Sequence, residues 1–254
     1  MSTAELAARI RRREPVLGYW VVLDCPPATE RLARTGYDYL AIDAQHGLLD
    51  YAGVLNALMA VDAGGAVGLV RVEANLPTPI GKALDAGAGG VIVPLVSTAA
   101  EAAAAVAAAR YPPSGIRSYG QMRSGLRIGP TPAEANEATV VLAMIETPEG
   151  LANVEAIAAT PGLDGLYIGP SDLTIAVGGT SPTDAAVAAE LDRALLRILA
   201  ACDTAGITAG IHTFSGEEAA ARLAAGFTFV SVSADLTHLE QAAAAHLAVA
   251  RGHD

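Results

Sequence analysis

The chain has 254 residues with 16 basic and 27 acidic side chains, and its formal net charge of −11 argues against a nucleic-acid partner, since phosphate backbones require a basic surface. The 52% hydrophobic content is inflated by alanine, and no apolar run approaches the roughly 18 residues that a membrane-spanning helix needs. The first residues, Met-Ser-Thr-Ala-Glu-Leu, lack the apolar segment of a signal peptide. We therefore predict a soluble, cytoplasmic protein that does not bind membranes.

Apolar runs typical of buried strands recur along the chain and alternate with alanine- and leucine-rich stretches that have helical spacing. Strands that are apolar on both faces and separated by helices favour a parallel sheet closed by crossover helices. A (β/α)8 barrel needs roughly 250 residues, so we predict a single TIM-barrel domain over residues 1–254. The predicted strands are 16–23, 38–43, 67–72, 90–95, 140–145, 164–169, 207–212 and 228–233, and the clearest helical stretches are 28–35, 54–63 and 185–205.

An open, doubly wound sheet is the alternative fold. Its nucleotide-binding forms carry Gly-x-Gly-x-x-Gly after the first strand or a Walker A sequence, and this sequence has neither. One connection is too long for a routine loop: residues 110–130, which begin with Arg-Tyr-Pro-Pro-Ser-Gly, separate the fourth helix from the fifth strand. Long ordered loops in barrels often act as lids or subunit contacts, and a mobile insertion is the other interpretation.

Charged side chains follow four of the predicted strands. Asp43, Arg71, Glu146 and Asp172 each come where an apolar run ends. Catalytic groups of a TIM barrel lie at the carboxyl ends of its strands, so we expect these four to share one mouth. Glu146 and Asp172 could instead cap the following helices, and Arg71 could form a surface salt bridge.

The pair Glu146 and Asp172 is separated by 26 residues, one strand–helix repeat. Neighbouring strands lie ~4.8 Å apart, which would let two carboxylates share one divalent cation. Two protein ligands leave most of an octahedral shell for water and a chelating substrate, as Mg²⁺ or Mn²⁺ prefers. The single lysine, Lys82, falls at the start of a predicted helix rather than at a strand end, which disfavours a Schiff-base mechanism.

Two further side chains complete the candidate site. Arg71 ends its strand 28 residues after Asp43, and a fixed guanidinium beside a metal suits an oxyanion such as an enolate. His46 follows Asp43 by three residues and could act as a general base, although a lone histidine is more often structural. His212 ends the seventh predicted strand and is the reserve candidate. The remaining histidines, predicted to lie on the surface, are His238, His246 and His253.

At these residues the chain resembles the HpcH/HpaI family of class II pyruvate aldolases, metal-dependent barrels of the phosphoenolpyruvate/pyruvate type that cleave and form 4-hydroxy-2-oxo acids. The resemblance spans essentially the whole chain. It rests on six matches in order: Ile42-Asp43 with His46, Val70-Arg71, Leu84-Asp85-Ala86-Gly87, Arg110-Tyr111-Pro112-Pro113 with Gly115-Ile116-Arg117, Ile145-Glu146, and Ile168-Gly169-Pro170-Ser171-Asp172-Leu173.

The resemblance implies a reaction. A 4-hydroxy-2-oxo acid would be cleaved reversibly to pyruvate, or a related 2-oxo acid, and an aldehyde, through an enolate that a metal stabilises. Glu146 and Asp172 would ligate Mg²⁺ or Mn²⁺, with Co²⁺ or Zn²⁺ as alternatives. Arg71 would hold the keto oxygen. His46, oriented by Asp43 or by Asp85 of the partner subunit, would move the proton of the C4 hydroxyl.

The resemblance also implies a carboxylate site, made by backbone amides around Gly169, Pro170 and Ser171 at a helix start, and a hexamer, a trimer of dimers, whose last helix packs on a partner. One departure is Gln45, because many members have a glutamate directly before the histidine. No motif fixes the acceptor aldehyde. A carbon–carbon lyase acting on an acyl-CoA thioester and a non-catalytic barrel are the alternative functions.

Overall fold

The computed structural model describes residues 1–252, which form a closed barrel of eight parallel strands surrounded by helices. The prediction of a TIM barrel is confirmed. Each strand pairs with the next in the chain, and β1 closes the barrel by pairing with β8. The strands are β1 Val16–Val21, β2 Tyr39–Asp43, β3 Val67–Arg71, β4 Gly90–Val93, β5 Val140–Met144, β6 Gly165–Ile168, β7 Thr208–Thr213 and β8 Phe229–Ala234.

Helices fill the connections between the strands, and one helix precedes the barrel. Ser2 and Thr98 begin two of them with reciprocal capping boxes, which satisfy the first unpaired amides. No helix within residues 1–252 is both long and apolar enough to cross a membrane. The helices are α1 Thr3–Arg11, α2 Pro26–Ala33, α3 Tyr51–Gly64, α4 Pro77–Asp85, α5 Ala99–Ala109, α6 Ser124–Arg127, α7 Pro132–Ala138, α8 Pro148–Ala152, α9 Val154–Ala158, α10 Pro170–Ala176, α11 Ala188–Ala205, α12 Gly216–Ala224 and α13 Asp235–Ala250.

Side chains of the strands alternate between two cores, because successive residues of a strand point to opposite faces. The core inside the barrel contains Tyr39, Tyr167 and Phe229. Gly18 makes room for the first of these, since a Cβ at that position would lie 2.1 Å from the Tyr39 ring. Leu6 of α1 packs into the same inner core, so α1 covers the amino-terminal end of the barrel. The opposite end holds the predicted site.

The long connection of residues 110–130 contains a short helix, α6, and leads into α7 before β5 begins. Arginine side chains attach it to the neighbouring helices. The Nη2 of Arg117 donates to Oδ1 of Asp85 at 2.7 Å, and the Nη1 of Arg123 donates to the carbonyl oxygen of Ala86 at 2.8 Å. The connection is therefore packed against α4.

Candidate active site

Asp43, at the end of β2, is a buried carboxylate surrounded by hydrogen-bond donors. Its Oδ1 accepts from the backbone amides of Gln45 at 3.0 Å and His46 at 3.1 Å. Both oxygens also accept from Arg71, and Oδ2 accepts from Nε1 of Trp20 at 3.1 Å. Burial would raise the pKa of Asp43, but the hydrogen bonds and charge of Arg71, with the His46 and Trp20 N–H groups, hold it below its ordinary value. The carboxylate is therefore ionised and anchors four residues.

Arg71 lies directly across the β2–β3 pair from Asp43, because the register places the two side by side. Its Nε donates to Oδ1 of Asp43 at 2.9 Å and its Nη2 donates to Oδ2, a two-point contact that fixes the plane of the guanidinium. The central carbon of that group lies 5.3 Å from the centre of the Trp20 ring. Within residues 1–252, Nη1 has no hydrogen-bond partner. A fixed cation thus presents an unused donor.

The mouth of the barrel holds a cavity of about 240 Å³ next to Arg71. Polar groups from β2, β3 and the β6 end share it with the aromatic side chains Trp20 and Phe214. These residues lie close together because the strands are parallel, so that the carboxyl ends of all of them are at the same edge of the barrel. The predicted site residues that line the cavity are His46, Arg71, Gly169, Pro170, Ser171 and Asp172.

Glu146 and Asp172 converge at Gly169. A Cβ built on Gly169 would lie 3.3 Å from Oε2 of Glu146 and 3.7 Å from Oδ2 of Asp172, so the glycine leaves open the space between the two acids. Oε1 of Glu146 accepts the backbone N–H of Leu95 at 2.7 Å, which leaves Oε2 for another partner. Burial raises the pKa of Glu146, and the charge of Asp172 adds to this, while the Leu95 N–H and the charge of Arg71 oppose it in part.

The acidic pair fits a hard divalent cation, because it offers carboxylate oxygens and an open space between them. The described residues include no group of three histidine, cysteine or acidic side chains that could hold a metal. Glu146 and Asp172 could be two ligands of such a cation. The other coordination positions would be available to water and substrate.

His46 is exposed at the rim of the cavity, three residues after Asp43. Asp43 binds the backbone amide of His46, so in this chain it positions the loop that carries the imidazole. The Oε1 of Gln45 is buried and has no hydrogen-bond partner in the part of the chain that is described. His238 and His246 are exposed, as predicted, and His253 lies outside the described residues.

Two residues of the sequence analysis lie away from the cavity of their own barrel. Asp85 is at the end of α4, where Arg117 donates to it. Lys82 is on the same helix, with its Nζ 5.2 Å from the centre of the Tyr51 ring. The position of Lys82 agrees with the prediction that it does not end a strand.

The sequence did not identify Trp20 as part of the site, and it indicated His212 only as a reserve candidate. Trp20 binds Asp43, covers Arg71, and stacks on Tyr167 with ring centres 5.7 Å apart. The alternation Val16, Gly18, Trp20 on β1 could have identified it as an inward-facing residue near the carboxyl end. His212 lines the cavity beside Trp20, with ring centres 5.4 Å apart.

A protein-family model described as HpcH/HpaI aldolase/citrate lyase matches residues 17–242. The chain belongs to this family. It is 42% identical over 238 residues to a hydroxypyruvate/pyruvate aldolase of Rhizorhabdus wittichii, covering 93% of this chain and 94% of the relative. It is 38% identical over 232 residues to a 5-keto-4-deoxy-D-glucarate aldolase of Klebsiella pneumoniae, covering 90% of each.

A solved structure supports the same family assignment. The crystal structure of an HpcH/HpaI aldolase/citrate lyase family protein from Burkholderia cenocepacia has a TM-score of 0.88 and 33% identity, and the match covers 98% of this chain and 99% of that one. The predicted family and the predicted enzyme class, a carbon–carbon lyase of the aldolase type, are confirmed.

Proposed function

We propose that this protein is a divalent-metal-dependent aldolase that reversibly cleaves a 4-hydroxy-2-oxo acid to pyruvate, or a related 2-oxo acid, and an aldehyde. The observation that carries the proposal is the arrangement of Arg71. Asp43 fixes its guanidinium, Nη1 is left without a partner in residues 1–252, and Arg71 lines a cavity that Asp172 also lines. A cation and a carboxylate on one small cavity, with the second carboxylate, Glu146, close to Gly169 of the same cavity, suit a substrate that is a 2-oxo acid.

Glu146 and Asp172 would hold the metal, and Mg²⁺ or Mn²⁺ suits two carboxylates better than a softer ion. Co²⁺ and Zn²⁺ are alternatives that the oxygen ligands also accept. When bound, such a cation acts as a Lewis acid toward the carboxylate and keto oxygens of a 2-oxo acid. The space at Gly169 supports this role, because any larger residue there would fill it.

Arg71 would donate from Nη1 to the keto oxygen of the substrate as negative charge develops there. Donors that are already oriented stabilise such charge without reorganising during the reaction. Asp43 supplies this orientation through its two-point contact and keeps Arg71 in place with its own charge. Trp20 packs on the guanidinium and binds the same carboxylate.

His46 would move the proton of the C4 hydroxyl, directly or through water. Its exposed place at the rim of the cavity lets it reach the aldehyde half of the substrate. Asp43 holds its loop by the backbone, so a carboxylate that orients the ring would come from elsewhere, and Asp85 of the partner subunit is our candidate. Gln45 adds no negative charge beside the imidazole, in contrast to the glutamate of many family members.

Backbone amides around Gly169, Pro170 and Ser171 would bind the substrate carboxylate. Pro170 occupies the first turn of α10 and has no N–H, so the donors would be the amides on either side of it. An acid bound there would lie next to Arg71, which lines the same cavity.

We also propose a homo-oligomer, a hexamer built as a trimer of dimers. The support in this chain is α13, whose apolar side chains are largely in solvent: Leu239 is 60% exposed, Leu247 50% and Val249 72%. A partner that covers them would remove apolar surface from water. Light scattering coupled to size exclusion should give six times the mass of the chain, and a monomer would contradict the assembly.

The relatives narrow the substrate class. Two relatives are named for hydroxypyruvate and pyruvate and for a keto-deoxy sugar acid, which supports small 2-oxo acids with polar aldehydes as substrates. We expect the cytoplasm to be the location of such an activity.

The test is release of pyruvate from a panel of 4-hydroxy-2-oxo acids, measured after chelation and again after adding Mg²⁺, Mn²⁺ or Co²⁺. We expect turnover to disappear with EDTA and to return with the metal, because no other electron sink is present in the proposed site. Full activity of the metal-free protein, or a pyruvate adduct on Lys82 trapped by borohydride, would contradict metal dependence. Activity on acyl-CoA thioesters alone would replace the proposed reaction.

A further inference from the structure

His212 is a polar residue in an otherwise aromatic part of the cavity wall. It lies on β7, and its ring meets those of Trp20 and Phe214 edge-on, with ring centres 5.4 Å apart in both cases. The register between β6 and β7 pairs Ile168 with Ile211, which places His212 beside Gly169. The imidazole therefore borders the space that the substrate would occupy.

The other polar atoms of this wall are already engaged within the protein. The indole N–H of Trp20 donates to Asp43 at 3.1 Å, and the hydroxyl of Tyr167 donates to Ser231 at 2.8 Å. Phe214 has no polar group to offer. For His212, no hydrogen bond to either ring nitrogen exists among residues 1–252, so it is the part of this wall that can bind a polar group of a ligand.

The imidazole is neutral at physiological pH. Burial and the positive charge of Arg71, against a smaller opposite effect of Asp43, together lower the pKa of His212 to about 4. A neutral imidazole has one N–H donor and one acceptor nitrogen. A substrate that displaces water from the two ring nitrogens of His212, and does not form hydrogen bonds with them in its place, leaves both nitrogens unpaired. This lowers the affinity for such a substrate.

We propose that His212 is a specificity-determining residue that binds a hydroxyl group of the substrate next to a reacting carbon. A hydroxyl both donates and accepts, which matches the two nitrogens, whereas a methyl group matches neither. This inference rests on the proposed aldolase function. The hydroxyl could be at C3 of a 2-oxo acid, as in hydroxypyruvate, or at C2 of the aldehyde, as in glycolaldehyde.

The experiment compares kcat/KM for matched substrate pairs in the oligomeric, metal-loaded enzyme. Hydroxypyruvate and pyruvate are compared with one common aldehyde, and glycolaldehyde and acetaldehyde with one common 2-oxo acid. We expect His212→Phe to lose about 10- to 100-fold on the hydroxylated member of one pair and to change little on the other member. His212→Asn, which keeps a donor and an acceptor, should recover part of the loss. The pair that responds identifies the hydroxyl.

Phe214→Leu is the matched control, because it alters the same wall without removing a hydrogen-bonding group. It should change both members of each pair alike. The inference is overturned if His212→Phe also does so, or if His212→Asn behaves like His212→Phe on every substrate.

A binding measurement separates this inference from the proposed function. Calorimetry with Mg²⁺ present should show weaker binding of the hydroxylated compound, hydroxypyruvate or glycolaldehyde, to His212→Phe than to the wild type, and unchanged binding of pyruvate. Absence of turnover with every substrate pair would refute the aldolase while this binding difference would still support a hydroxyl site. Turnover with unchanged discrimination and unchanged binding would leave the aldolase standing and refute the role of His212.

Discussion

Each end of the barrel contains a buried aspartate paired with arginine. The two ends differ in the further groups that the arginine side chains bind. Asp43 at the carboxyl end is 2% exposed and holds Arg71. Asp164, just before β6 at the amino end, is 7% exposed and holds two arginines, with Nε of Arg11 at 2.7 Å from Oδ1 and Nη2 of Arg110 at 3.2 Å from Oδ2. The same pair of residue types thus occurs at both ends.

At the amino end both guanidinium groups also bind a backbone carbonyl, which closes the network within the chain. Arg110 also donates from Nη1 to the carbonyl oxygen of Thr139 at 2.7 Å, and Arg11 reaches the same carbonyl at 3.0 Å. Asp164 accepts the backbone N–H of Val141 at 2.8 Å as well. This network ties α1 and the end of α5 to the start of β5, which is a structural role.

At the carboxyl end the charges are not balanced within the described residues. Arg71 keeps Nη1 unpaired, and neither Glu146 nor Asp172 forms a salt bridge in residues 1–252. The contrast shows how one interaction serves two purposes. A closed network stabilises the fold, whereas a network with unused groups on a cavity can bind a substrate or a cation.

We expect the largest effect on kcat from replacing Arg71, and this substitution tests whether the network at the carboxyl end is catalytic. We expect Arg71→Ala to lower kcat by about 10²–10³, because one oriented donor to a developing oxyanion is typically worth that much. Arg71→Lys should recover little, since it cannot make the two-point contact with Asp43. Steady-state kinetics, with circular dichroism to verify folding, gives the measurement. Unchanged turnover in Arg71→Ala would mean that the guanidinium serves structure, as Arg110 does.

His46 tests the other polar group of the mouth. We expect His46→Ala to slow aldol cleavage by about 10², within the usual range for a general acid–base group, and to spare exchange of the pyruvate methyl protons. The reason is that His46 would serve the C4 hydroxyl while Arg71 serves the keto oxygen. Product assays and proton exchange followed by NMR measure the two steps. An equal fall in both would refute this division of roles.

Asp164 tests the closed network. Asp164→Asn leaves Arg110 buried without its carboxylate, so we expect the free energy of unfolding to fall by about 3 kcal/mol. The kcat of the folded enzyme should stay unchanged, since the residue lies at the opposite end from the cavity. Urea unfolding and kinetics below the transition are the measurements. A large loss of kcat with intact stability would remove the distinction between the two ends.

Asp43 should contribute the smallest and most specific effect, a pH dependence of stability. Its pKa is lowered from the ordinary 3.8 in the folded protein, so its contribution is complete above about pH 3.8 and is lost as the pH falls through the folded-state value. In Asp43→Asn the acid-side decline in unfolding free energy should be shallower, by at most about 1.4 kcal/mol per pH unit. Parallel curves for the two proteins, measured by denaturation from pH 2 to pH 6, would contradict the ion pair.

The sequence determined the barrel and most of the residues of its mouth. Each predicted strand overlaps an observed one, because the strands are apolar on both faces and this pattern is strong in a parallel barrel. Arg71 and Asp172 could be assigned to the mouth from position alone, since every strand of a parallel barrel ends at the same edge.

Only the tertiary structure decided which groups these side chains contact. Sequence spacing placed Asp43 near His46 but could not show that its oxygens bind Arg71, Trp20 and backbone amides, because those contacts depend on side-chain direction across strands. The same holds for Trp20 and His212, which lie on β1 and β7, far apart in the chain. Barrel closure brings their rings within 5.4 Å and surrounds the imidazole with aromatic groups, and no local pattern in the sequence encodes that neighbourhood.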